Sequence, residues 1–237
     1  METALRDCVL ALRADPNHLA GRSLFGFICA WSGLGDEFRR NVAHVHAIDP
    51  WYPWGTYQRA LLLTCEGSPS ERDAEIERML ALLGGAFGAC LATVLWGVTG
   101  EWERARPALE ASVALGGTEL GAILARAYLG ALDHDAPRVL ALLAPLREVA
   151  SIQNDLDWQH MFAVAYARIG AHEPALACLT KSVHHGFADP VLLSTRNRTL
   201  APLLGGEAGT ALLHRAEGQR QRMRRTLAEV QAGLTRL

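Results

Sequence analysis

The side chains of this 237-residue chain that could do chemistry are few and scattered. Asp155 and Asp157 lie just ahead of Trp158, with His160 and Arg168 following. Two carboxylates beside a histidine could divide acid and base roles if their surroundings set their pKa values apart. Acids opening a helix are also what capping and the helix dipole favour, and that reading of Asp155 and Asp157 carries more weight. His44 and His46 are two apart on an expected helix, where such neighbours point to different faces, so one metal does not take both. His184 and His185 could meet Asp189 on a metal only through loop folding. The five cysteines, Cys8, Cys29, Cys65, Cys90 and Cys178, include no CxxC pair and fall in apolar stretches, which reads as reduced core thiols. Lys181 is the single lysine, leaving little scope for Schiff-base chemistry. No GxGxxG, GxxxxGK, GxSxG or HExxH pattern occurs. These residues therefore assign no catalytic group, metal site or cofactor.

Helices must position whatever these groups do. Ala plus Leu number 75 against 18 for Val plus Ile, and unbranched side chains lose little rotamer freedom in a helix. The expectation is an all-α protein. A formal charge of −2 gives no bulk attraction to nucleic acid or an anionic membrane. The basic stretch from His214 to Leu237 (Arg215, Arg220, Arg222, Arg224, Arg225 and Arg236 against Glu217 and Glu229) lacks interleaved aromatics and reads as a solvated helix. The acidic, uncharacteristic N-terminus argues against a secretory signal, so the cytoplasm is expected, and the excess of Arg over Lys points to a GC-rich, bacterial genome. Met79 to Gly100 is uncharged for 22 residues, long enough to span a bilayer. Gly84 and Gly85 break it into two buried helices, so no membrane is assigned.

A period organises the chain. Asp15-Pro16 and Asp49-Pro50 are 34 apart and end the amphipathic runs Leu5 to Ala14 and Asp36 to Ile48. Gly33, Gly67 and Gly100 continue the ruler, Gly170 lies 70 further on, and the polar break Asp133 to Pro137 supplies the mark between. Ser70 with Asp73 reads as a capping box. The sequon Asn197-Arg198-Thr199 reads as chance.

This pattern resembles the tetratricopeptide repeat (TPR) family. The third unit matches through Trp96, Gly100 to Ala105 and Leu109, and the fifth through Ala163, Tyr166, Gly170, Ala175 and Leu179. The first matches through Gly26, Trp31, Gly33, Val42 and Asp49-Pro50, but has Phe38 where a small residue is usual, which implies a looser helix crossing. The second and fourth units carry about two extra turn residues, Ser68 to Ser70 and Asp133 to Asp135. The resemblance implies a right-handed superhelical α-solenoid of about five helix-turn-helix repeats over residues 1–190. Its expected parts are a half repeat 1–16, units near 17–50, 51–83, 84–117, 118–150 and 151–188, and a C-terminal helical cap 191–237. The half repeat also fits a segment of a larger signalling chain.

In this family the first helix of each pair lines a concave groove. The resemblance thus implies groove residues Phe27, Trp31, Trp54, Tyr57 and Phe87 in the early units and Arg126, Asp157, His160 and Arg168 in the later ones. The expected function is a non-catalytic scaffold whose partner is a protein or peptide, either a helical or apolar segment or another domain of a larger chain. The rival is an enzyme or ligand-binding protein on the same frame, using Asp157, His160 and Arg168; a closed pocket with His160 hydrogen-bonded to a carboxylate would mark it. Aromatics packed between helices rather than exposed would weaken the groove reading.

Overall fold

The computed structural model describes residues 1–234, and within them every regular element is helical. A lone helix, α1 (Glu2–Ala14), precedes five hairpins: α2 (Leu19–Trp31) with α3 (Gly35–Ile48), α4 (Pro53–Glu66) with α5 (Pro69–Leu83), α6 (Gly85–Thr99) with α7 (Arg106–Ala114), α8 (Leu120–Leu132) with α9 (Ala136–Leu143), and α11 (Leu156–Arg168) with α12 (His172–His184). The short α10 (Ala150–Gln153) and α13 (Ala201–Leu204) are connectors, and the long α14 (Glu207–Leu234) closes the chain. Arg236 of the basic stretch lies outside the described residues. No helix among those described is long and apolar enough to cross a membrane; Met79 to Gly100 divides at Gly84, whose φ is +56° and ψ −178°.

The ruler of turns marks the junction inside each hairpin. Gly33, Gly100 and Gly170 have φ of +66°, +81° and +74°, a region glycine enters without steric cost, and His134 takes φ +56° at the fourth junction. Gly67 instead has φ −88°. The box that starts α5 there is Ser68 with Glu71, not Ser70 with Asp73: Ser68 Oγ accepts from the Glu71 N–H, and the Glu71 carboxylate accepts from the Ser68 N–H at 3.1 Å. Pro69 sets the register, because it fits the first helical position where no N–H is needed. Asp73 has other work. Its carboxylate accepts from Trp96 Nε1 (3.0 Å), Arg72 Nε (2.9 Å) and Arg104 Nη1 (2.5 Å), while Arg72 reaches the Glu101 carboxylate, so the buried network ties α5 to the turn after α6.

The expected extra turn residues at 68–70 and 133–135 are absent, since those junctions have only two and three residues. The added length sits elsewhere. In the fourth unit the second helix stops at Leu143, and Pro145, which cannot donate and clashes with the preceding turn, begins a 3₁₀ turn (Pro145–Glu148) and then α10.

The first helices α2, α4, α6, α8 and α11 pack side by side along one wall, and α6 also meets α11 directly. Crossings are closest where side chains are smallest. At buried Gly26 an added Cβ would strike Gln58 Oε1 and sit 2.7 Å from Asn41 Nδ2, while Gln58 and Asn41 themselves bond the α2 carbonyls of Ser23 (2.7 Å) and Arg22 (2.9 Å). Phe38, where a small residue is usual, is buried beside a cavity of about 60 Å³ between Cys29, Leu62 and Cys65. All five cysteines are free thiols, four of them buried.

Two outcomes follow. Gly26→Ala should lower unfolding free energy by about 1–3 kcal/mol in urea titrations, because neither fixed amide can retreat. Ser68→Ala should cost about 0.5–2 kcal/mol and Ser70→Ala much less, since only Ser68 caps α5.

Candidate functional site

The inner wall carries a continuous row of aromatic rings. Phe27 stacks on Trp31 at 5.2 Å between centroids and meets Trp54 and Tyr57 at 5.6 and 5.7 Å. Trp54 then contacts Phe87 at 6.1 Å, Phe87 contacts Trp158 at 5.6 Å, and Trp158 contacts Phe162 at 6.4 Å. Four of the five first helices supply them, α2, α4, α6 and α11, with α8 bypassed where α6 meets α11. Edge and tilted contacts of this kind suit the ring quadrupole and add to the gain from burial. Phe27, Trp31, Trp54, Phe87 and Trp158 are half-buried, whereas Tyr57 and Phe162 belong to the core.

A second feature of this wall is the segment from Gly186 to Leu204, a strap that runs over the C-terminal ends of α2 and α6. The Ala188 N–H donates to the Trp31 carbonyl (2.5 Å), the Arg198 N–H to the Val98 carbonyl (2.9 Å) and Thr199 Oγ1 to the Gly97 carbonyl (2.7 Å). Trp102 Nε1 donates to the same Thr199 hydroxyl at 2.9 Å. These acceptors end α2 and α6, where the last helical carbonyls have no partner within the helix. Within the strap, Asp189 Oδ1 accepts from the Val191 and Leu192 N–H groups, and Asn197 bonds the Leu192 carbonyl and the Thr199 N–H. Burying Phe187, Leu192, Leu193 and Leu200 stabilises the crossing by roughly 1.5–3 kcal/mol for each side chain. The expected boundary at residue 190 thus falls inside one packed segment. From there α14 runs back past α12 to α1, with Leu212, Ala216, Met223, Leu227 and Val230 buried along one face and Arg6 pairing with Glu229 at 2.8 Å. The C-terminal helix is therefore solvated on one face only.

The later groove residues have different fates. Arg126 Nη1 donates to the Gly117 carbonyl (2.8 Å), and the Arg168 guanidinium lies over Trp102, 5.6 Å from its centroid, with a buried Nε lacking a partner. Asp155 caps α11, accepting from the Asp157 and Trp158 N–H groups. Asp157 is the half-buried neighbour; burial, and then the Asp155 charge, push its carboxyl up to about 8. His160 is 3% exposed, stacks on Phe187 at 4.5 Å, and is held neutral by burial, with its pKa lowered to about 4. No carboxylate hydrogen-bonds it among the described residues, so the pairing that would mark an acid–base site is not formed. His44 bonds Asn17 and His46 bonds Arg59, on separate faces. Asp189 turns inward, away from His184 and His185, and no group of three or more metal-ligating side chains occurs among the described residues.

Sequence reasoning missed Phe187, Asp189, Asn197 and Thr199, the residues that seat the strap. The apolar residues Val191 to Leu193 and Leu200 on either side of Asn197 were the available signal, but the strap's partners lie up to 102 positions away.

Because the folded state holds Asp157 protonated to a higher pH than an unfolded chain does, its contribution to stability is complete below about pH 4 and is lost as pH rises through about 8. Asp157→Asn should therefore match the parent in urea titrations at pH 4 and exceed it at pH 8.5.

No family model matches this chain, and no curated protein does. Among solved structures it is similar to the crystal structure of a tetratricopeptide repeat protein from Parabacteroides merdae ATCC 43184, with 15% identity and a TM-score of 0.46 over 96% of this chain and 91% of that one. The resemblance to tetratricopeptide repeats lies in this chain's own stacked hairpins: buried Ala105 just ahead of α7, buried Ala175 in α12, and left-handed residues at Gly33, Gly100, His134 and Gly170.

Proposed function

We propose that this chain is a non-catalytic protein-interaction scaffold, and that a helical or apolar segment of its partner lies along the aromatic row of the inner wall. The observation that carries this reading is the unbroken run of half-buried rings, Trp31, Phe27, Trp54, Phe87 and Trp158, contributed by four of the five first helices, with α8 bypassed where α6 meets α11. A monomer has no need to leave five large rings in partial contact with water along one line, and half-buried aromatics are the side chains that dominate binding energy at interfaces. Tyr57 and His160 support the wall from behind. Arg126 and Arg168 form no ion pair among the described residues and would attract an acidic end of the partner segment.

The test is affinity capture with the full chain and its Trp54→Ala and Phe87→Ala variants, each first shown to melt cooperatively. A partner held by the parent should be retained at least tenfold less by both variants, in keeping with a central hot spot worth about 2 kcal/mol or more. Equal retention by parent and folded variants would remove the aromatic row from the interface.

A further inference from the structure

The end of α12 and the middle of α14 enclose a hollow of about 420 Å³ lined by Lys181, His184, Arg215, Gly218, Gln219 and Arg222, without a carboxylate. An adjoining hollow of about 280 Å³ shares His184, Gln219 and Arg222 and adds His185; Glu2 is the one acid in its lining. The side chains of Lys181, Arg215 and Arg222 make no hydrogen bond or ion pair among the described residues, whereas Arg220 of the same helix pairs with Glu217 and bonds the Ala188 carbonyl. Lys181 and His184 have a local explanation, because cations in a last helical turn complement the dipole. Arg215 and Arg222 have none. They stand mid-helix on α14, two turns apart on one face, and point three like charges at one space.

Gly218 lies between those two arginines, and nothing in the packing asks for it. A Cβ there would meet only Arg222 Nη1, at 3.8 Å, and glycine inside a helix gives away helix propensity. Its effect is to keep the floor of the hollow open. Gln219, next to it, fixes the wall by donating to the Val183 carbonyl at 2.5 Å.

We propose that this hollow binds a small phosphate-bearing polyanion of the diphosphate class. Two guanidinium forks can each take a pair of phosphate oxygens, the ammonium of Lys181 adds a point charge, and the space exceeds what a single oxyanion fills.

The experiment is calorimetric titration of the full chain with pyrophosphate at low ionic strength, beside sodium chloride at matched ionic strength. The parent should bind one equivalent saturably. Arg215→Ala/Arg222→Ala should weaken binding by roughly tenfold or more, whereas Arg224→Ala/Arg225→Ala, which removes the same charge from the same helix, should change it less than about twofold. Gly218→Leu should abolish binding without lowering the melting temperature. Absence of saturable heat with the parent, equal losses in the two double variants, or full binding by Gly218→Leu would each overturn the proposal.

Discussion

The carbonyl groups at the ends of α2 and α6 set the constraint on which the rest of the molecule depends. A helix leaves its last carbonyls without partners, and here the ends of these two first helices are covered by protein rather than water. The strap from Gly186 to Leu204 resolves the problem by donating from Ala188 and Arg198 to Trp31 and Val98, and Thr199 adds a second donor to the Gly97 carbonyl beside the Gly100 N–H. Its apolar side chains, with Phe187 against His160, then fill the space between the two ends of the hairpin stack. Leaving the Trp31 or Val98 carbonyl unpaired costs about 1–3 kcal/mol, so these bonds and the packing stand or fall together.

Once the strap is seated, the remaining architecture is determined by what still lacks a partner. The lone α1 packs on α2, and α14 returns across the molecule to lie against it. Arg220 links these events: its Nε donates to the Ala188 carbonyl at 2.6 Å while its Nη1 pairs with Glu217. The hairpin stack is thereby closed at both ends by the same C-terminal segment. The inner wall is divided as a result into a part filled by the strap and a part faced with half-buried aromatic rings.

The hairpins were legible in the sequence because their signals are local. Pro16 and Pro50 stop helices within their own turn, Gly33, Gly100 and Gly170 mark left-handed junctions, and Gly26 marks a close crossing. Asp155 as a cap is read from the same short-range rules. The misreadings have physical causes as well. Ser70 and Asp73 have capping-box spacing, but Pro69 starts the helix two residues earlier and hands the cap to Ser68, leaving Asp73 free to accept from Trp96 and two arginines. Tyr57 and His160 sit at first-helix positions like their neighbours, yet helix rotation and the strap bury them. The strap itself was illegible: its partners are distant in the chain, and a sequon at Asn197 looks identical whether the asparagine faces solvent or, as here, holds a turn together in the core.

Hydrogen exchange measured amide by amide tests the closure most directly. If the strap is integral to the stack, the N–H groups of Ala188 and Arg198 exchange only as slowly as the protected core amides of α6 and α11, all through one global opening. Exchange of Ala188 and Arg198 orders of magnitude faster, with α6 and α11 still protected, would show that the strap detaches from an otherwise intact stack and would contradict the account.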